Sequence, residues 1–130
     1  MIVGVGLDVV ELKRIESLLS KPSGERFAQR VLTEKERSRW AGLPARRALE
    51  FIAGRFAAKE AVVKALGCGI GSSAGFHDVE ILSDAAGKPV CRLSEACRER
   101  LDLREGEWTI HVAITHERTL AASTAIVERT

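Results

Sequence analysis

Apolar residues fill the first ten positions, MIVGVGLDVV, broken only by two glycines and Asp8. A β-branched run of this kind predicts a strand over residues 2–10. Alternation along it puts Ile2, Gly4, Gly6, Asp8 and Val10 on one face and Val3, Val5, Leu7 and Val9 on the other. The period then lengthens. Residues 11–20 have helical spacing and stop near Pro22. Thr33 followed by Glu36 has the form of a capping box, opening a short helix toward Gly42. From Ala45 to Leu66 the pattern predicts one long helix, apolar nearly all round, ended by Gly67, where a positive φ costs glycine little. CGIGSSAG reads as a loop, 77–83 alternates like a strand, DAAGKP as a turn and PVCRL as a second short strand. Ser94 is placed to cap a helix through Leu101. WTIHVAITHE and LAASTAIVE read as two strands of a hairpin about residues 117–119. The order β-α-α-α-β-β-α-β-β predicts an α+β domain over residues 1–130, a mostly antiparallel sheet packed on one long buried helix.

Composition narrows the function classes. A net charge of +2 over 130 residues is too small to imply nucleic acid or membrane. Its distribution is uneven: between Lys13 and Glu50 lie ten basic and five acidic residues, a local excess that suits an acidic partner or a solvated helical surface. An RNA-binding reading finds no support beyond this charge, because six aromatics, none of them tyrosine, show no basic–aromatic alternation for base stacking. Three cysteines, Cys68, Cys91 and Cys97, without CxxC spacing argue against a disulfide framework or zinc site and fit a reducing cytoplasm. The N-terminus lacks the basic region of a signal peptide, and no stretch of about 20 uncharged apolar residues spans a membrane.

The long helix poses the chemical question, for its apolar sequence carries Arg55, Lys59, Glu60 and Lys64. Phe56, Glu60 and Lys64 form one stripe, and Arg55 and Lys59 another beside it. A Glu60–Lys64 surface pair is one reading. The other is a cleft lined by all four charges, mainly cationic, where a carboxylate holds a metal and the cations hold phosphate oxygens. Asp8 offers a second carboxylate, with two small residues before it on the same strand face to let another segment approach; its alternative role is to cap the next helix. His116 ends its strand on the face of Ile110, Val112 and Ile114, and His111 lies on the opposite face. GVG begins a dinucleotide fingerprint that fails at Val9, and KALGCG mimics an acyl-CoA-binding loop but sits at the wrong end of a helix for phosphate.

Taken together, GLDVVELKRI (6–15), FIAGRFAAKEAVVKALGCGIG (51–71), GKP (87–89) and HVAITHE (111–117) resemble, in order and spacing, the holo-acyl-carrier-protein synthases, small single-domain 4′-phosphopantetheinyl transferases. The resemblance runs from Met1 to about Arg129. It implies transfer of the phosphopantetheine arm of coenzyme A to a serine of apo-acyl carrier protein, in fatty acid biosynthesis, with magnesium as the usual metal. By the same resemblance Asp8 and Glu60 match magnesium ligands, Lys64 the lysine near the transferred phosphate, and His116 the histidine at the diphosphate. Arg55, Gly87, Lys88 and Pro89 match positions around the nucleotide, as do Arg46 and Arg47. Arg14 and Arg26, with Leu18 and Phe27 as apolar contacts, match the surface that receives the carrier. A cytoplasmic homotrimer with interfacial active sites is implied as well.

Overall fold

Strand β1 (Ile2–Glu11) leads into four helices: α1 (Leu12–Ser20), α2 (Gly24–Val31), α3 (Glu34–Ala41) and the 22-residue α4 (Ala45–Leu66). A 3-10 turn (Phe76–Asp78) then introduces β2 (Val79–Ser83) and β3 (Pro89–Leu93), and α5 (Glu95–Arg100) precedes β4 (Trp108–His116) and β5 (Leu120–Arg129). This is a computed structural model, and it describes residues 1–130. The strands form two antiparallel sheets, β1-β5-β4 and β2-β3, where one sheet is expected from the pattern. Three further differences concern local structure. Helix α2 is absent from the sequence-based order; residues 77 and 78 belong to the 3-10 turn, not to a strand; and Glu11 ends β1 instead of starting α1. Sequence pattern under-reads α2 because, unlike the equally short α3, it has no side-chain cap at its start, and it is held by burial of Ala28 and Val31 and by a cation at its last carbonyl.

Local signals account for the remaining ends. Thr33 Oγ1 accepts from the Glu36 N–H, and Glu36 accepts from the Thr33 N–H, closing the capping box of α3. Ser94 accepts from the Cys97 N–H. Gly67 takes φ 81° and ends α4.

Helix α4 lies across the β1-β5-β4 sheet, its alanines and valines buried against it. Beta-1 approaches so closely that a Cβ on Gly4 would stand 1.8 Å from the Ala65 carbonyl oxygen, and one on Gly6 1.9 Å from that of Ala61. The strand can therefore lie directly on the helix backbone only if both positions lack a side chain. This contact carries Asp8, paired with Ser123 inside the strand, alongside the second half of α4. Its helix-capping alternative is overturned: Glu11 is the N-cap residue of α1, and no side chain caps that helix.

Candidate active site

The four charges of α4 divide, and Lys59 departs from the cleft predicted for it. Its ammonium is fully buried and donates to Glu36 Oε1 and Val31 O at 2.6 Å each and to Phe76 O at 2.9 Å. Glu36, equally buried, also accepts from the Ile81 N–H at 2.7 Å. Five donors and acceptors from three separate stretches of the chain thus satisfy one another, which makes a buried charge tolerable. Burial is the largest influence on Lys59 and lowers its pKa, with Glu36 pulling against it.

Glu60 and Lys64 remain outside, as expected, but not as a pair with each other. Lys64 Nζ bridges to Asp8 Oδ1 and donates to Leu7 O, both at 3.0 Å, and is half exposed. The Glu60 carboxyl is raised above its usual range, chiefly by partial burial and then by the neighbouring Asp8 carboxylate; Lys64 and Arg14 oppose this without cancelling it. Two carboxylates that repel one another beside a lysine are a donor set for a hard divalent cation that takes few protein ligands. Magnesium is an ion of that kind, since it takes one or two carboxylates and keeps waters and phosphate oxygens in its shell. Arg14 is exposed at the edge of this cluster. Arg26 is exposed on α2, while Leu18 and Phe27 are half buried against the core, Phe27 with its ring 6.3 Å from Phe56.

A second region lies toward the start of α4. A cleft of about 460 Å³ is lined by Arg47, Arg55, Gly87 and Pro89, four of the residues assigned to the nucleotide, and by His116, assigned to the diphosphate. Arg55 donates to Ile81 O at 3.1 Å and Ser83 Oγ at 3.4 Å, and its guanidinium lies 4.2 Å from the Phe51 ring centroid. Burial lowers its pKa. His116 Nδ1 stands 3.3 Å from Glu50 Oε2, which leaves Nε2 as the nitrogen free for a ligand. Arg46 does not line the cleft; it braces it, pairing with Glu50 at 3.4 Å and donating to Arg118 O at 2.8 Å. Lys88 sits at the exposed tip of the β2–β3 hairpin, outside the lining, with its backbone N–H on Asp84. Gly87 takes φ 86° there.

Asp8, Glu60 and Lys64 are not part of this cleft. Five residues separate Arg55, which lines it, from Glu60, so the nearest members of the two regions stand about 7.5 Å apart along the helix axis, and Lys64 lies about 15 Å beyond Gly54. Seven of the twelve cleft residues were not assigned to the site from sequence, among them the polar Arg39, Glu50 and Ser83 and the aromatic Phe51. Part of that signal was available, since 47, 50, 51, 54 and 55 share one helical face. Arg39 and Ser83 had none, because they come from α3 and β2.

Comparison with known proteins places the chain and its fold in one family. Residues 4–124 match the model of the 4′-phosphopantetheinyl transferase superfamily. A holo-[acyl-carrier-protein] synthase of Geobacillus kaustophilus is 49% identical over 129 residues, 99% of this chain and 91% of its own. The crystal structure of such a synthase from Bacillus anthracis, in complex with CoA (3′,5′-ADP), superposes with a TM-score of 0.85 at 41% identity, covering 100% of this chain and 99% of that one. The synthase of Neisseria meningitidis gives 0.89 at 34% identity, covering 99% and 100%. The chain belongs to the 4′-phosphopantetheinyl transferase superfamily, among its holo-acyl-carrier-protein synthases.

Proposed function

We propose that this protein transfers 4′-phosphopantetheine from coenzyme A to a serine hydroxyl of apo-acyl carrier protein, releasing adenosine 3′,5′-diphosphate. The observation that carries the proposal is the end-to-end match to holo-acyl-carrier-protein synthases together with a basic cleft and a separate carboxylate–lysine cluster on one helix. In the reaction the serine oxygen bonds to the phosphorus next to the pantetheine, and the bond from that phosphorus to the oxygen bridging the diphosphate breaks. Such a transfer needs charge compensation and alignment more than covalent help from the protein.

Each residue has a task in this scheme. Asp8 and Glu60 would hold magnesium, which would supply charge neutralisation at the diphosphate. Lys64, freed from Asp8, donates to the oxygen on which charge develops. His116, oriented by Glu50 through Nδ1, turns Nε2 toward the diphosphate. Arg47 and Arg55, with the Gly87–Pro89 turn, hold the nucleotide. Arg14 and Arg26 receive the acidic carrier, with association that weakens as salt rises.

One ligand must reach both regions, and the outer sheet face supports an assembly in which they meet between subunits. Val3, Val5, Leu7 and Val9 are 46%, 66%, 57% and 54% exposed on that face, an unusual apolar display for a sheet surface. Ile126 pairs across from Val5 and Thr124 from Leu7, extending the patch over β5. A cyclic trimer buries this face and brings the cleft of one subunit to the Asp8 cluster of the next.

Intact mass spectrometry of an apo-acyl carrier protein incubated with the protein, coenzyme A and Mg²⁺, with an EDTA control, tests the reaction. A metal-dependent gain of one phosphopantetheine supports it; no gain with folded protein and several carriers overturns it.

A further inference from the structure

Asp8 already has a cation. The Lys64 ammonium donates to Asp8 Oδ1 and to Leu7 O, both at 3.0 Å, so a carboxylate and the preceding carbonyl of β1 grip it together. Glu60, one turn earlier on α4, brings the second carboxylate and forms no ion pair of its own. Arg14 forms none either, so Lys64 is the one cation bonded to this pair of carboxylates. The same carboxylates are those assigned to magnesium. A divalent ion on Asp8 would stand close to the ammonium, where like charges repel and both compete for the lone pairs of one carboxylate.

The two cations therefore exclude one another at Asp8, and the geometry shows which of them can leave. Lys64 ends a flexible four-carbon stem in the last turn of α4, and its side chain is 51% exposed against 16% for Asp8. An ion pair with so exposed a partner costs little to break. Lys59 on the same helix has the opposite setting: it is sealed from solvent by three buried acceptors and has no second position to take.

We propose that Lys64 is a placeholder on Asp8, bound there in the metal-free protein and displaced by the divalent cation, so that its ammonium turns to a ligand phosphate only after the metal has arrived. This deepens the transferase reading and rests on it for the phosphate that Lys64 then meets. The exchange keeps the charge of Asp8 matched at each stage, by an ammonium before and by a metal after. It also orders the ligands, metal first and coenzyme A second, because without metal the lysine is held by β1.

Two measurements test the exchange in the absence of coenzyme A and carrier. In the first, Mn²⁺, which takes the same carboxylate and water ligands as Mg²⁺, is titrated into wild type, Lys64→Met and Lys64→Arg, and the unbound ion is counted by electron paramagnetic resonance. Circular dichroism checks the fold. Lys64→Met should bind Mn²⁺ about three- to tenfold more tightly, since neither competitor nor repulsion remains, and Lys64→Arg no more tightly than wild type. In the second, wild type is acetylated with acetic anhydride and the modified lysines are quantified by peptide mass spectrometry, with the exposed Lys35 and Lys88 as internal references. Saturating Mg²⁺ should speed acetylation of Lys64 at least about threefold relative to those two, as the amine loses its ion pair. Unchanged or weaker Mn²⁺ binding in Lys64→Met overturns the exchange, and so does a Lys64 acetylation rate that Mg²⁺ leaves unchanged or slows. Mn²⁺ binding by neither form overturns the exchange together with the metal site. If wild type shows both effects but transfers no phosphopantetheine, the transferase reading fails and the exchange stands; if transfer is metal-dependent while Lys64→Met binds no more tightly, the exchange fails alone.

Discussion

Lys59→Met removes the cation from the most completely buried polar contact in the protein. The wild-type ammonium donates to Glu36 Oε1 and Val31 O at 2.6 Å and to Phe76 O at 2.9 Å, with both side chains of the pair at 0% exposure. Methionine fills much of the volume but leaves the Glu36 carboxylate without a counter-charge and two carbonyls without a donor. Breaking one side of a buried pair costs about 3–5 kcal/mol. A domain of this kind has about 5–15 kcal/mol in total, so the single change removes a large share. Glu36→Gln strands the ammonium instead and is expected to cost a similar amount. The double variant removes both charges and should cost less than the sum, with a coupling of about 2–3 kcal/mol. Urea unfolding followed by the fluorescence of Trp40 and Trp108, at one fixed protomer concentration, gives all three values. Additivity within about 0.5 kcal/mol, or a Lys59→Met loss below about 1 kcal/mol, would refute the argument that the pair acts as a unit. The pH dependence has a definite sign. Burial depresses the folded pKa of Lys59, so this group's contribution to stability grows as pH rises toward the ordinary lysine range and is lost as pH falls through the folded value. Lys59→Met lacks that slope.

Gly6→Ala places a Cβ 1.9 Å from a backbone oxygen that cannot rotate away, so β1 must lift from α4. We expect a loss of about 1–3 kcal/mol in the same urea assay and a larger fall in turnover than stability explains, because Asp8 moves with the strand. Wild-type activity in this variant would show that the close approach is dispensable. Glu60→Gln relieves the Asp8–Glu60 repulsion. Because the folded pKa of Glu60 is raised, its contribution is present at low pH and lost as pH rises through the folded value, so metal-free wild type should fall behind the variant across that range. Thermal shift should also show Mg²⁺ stabilising wild type and not the variant; equal Mg²⁺ shifts would remove Glu60 from the metal site. Val5→Glu puts a charge into the outer sheet face and should convert a trimer to monomers by sedimentation velocity, with transfer lost in parallel. An unaltered oligomer would free that face from any interface.

Much of this protein is local and therefore legible in its sequence. The glycine-punctuated first strand, the capping box at Thr33, the 22-residue helix and its Gly67 stop, and the β4–β5 hairpin all arise from interactions between residues close in the chain. Asp8, Glu60 and Lys64 could be singled out because charge is costly in apolar surroundings and must have a purpose there. The destination of each charge was a different matter. Lys59 and Lys64 differ little in local sequence, yet one is sealed in the core and the other faces Asp8. Their fates depend on what packs opposite: Glu36 on α3 and the carbonyls of α2 for the first, the edge of β1 for the second. Arg39 joins the cleft for the same kind of reason, since only the docking of α3 on α4 brings it beside Arg55. Periodicity reports which face of an element is apolar; it carries no information about which element will cover that face, and the partner of a buried charge is chosen by that long-range packing.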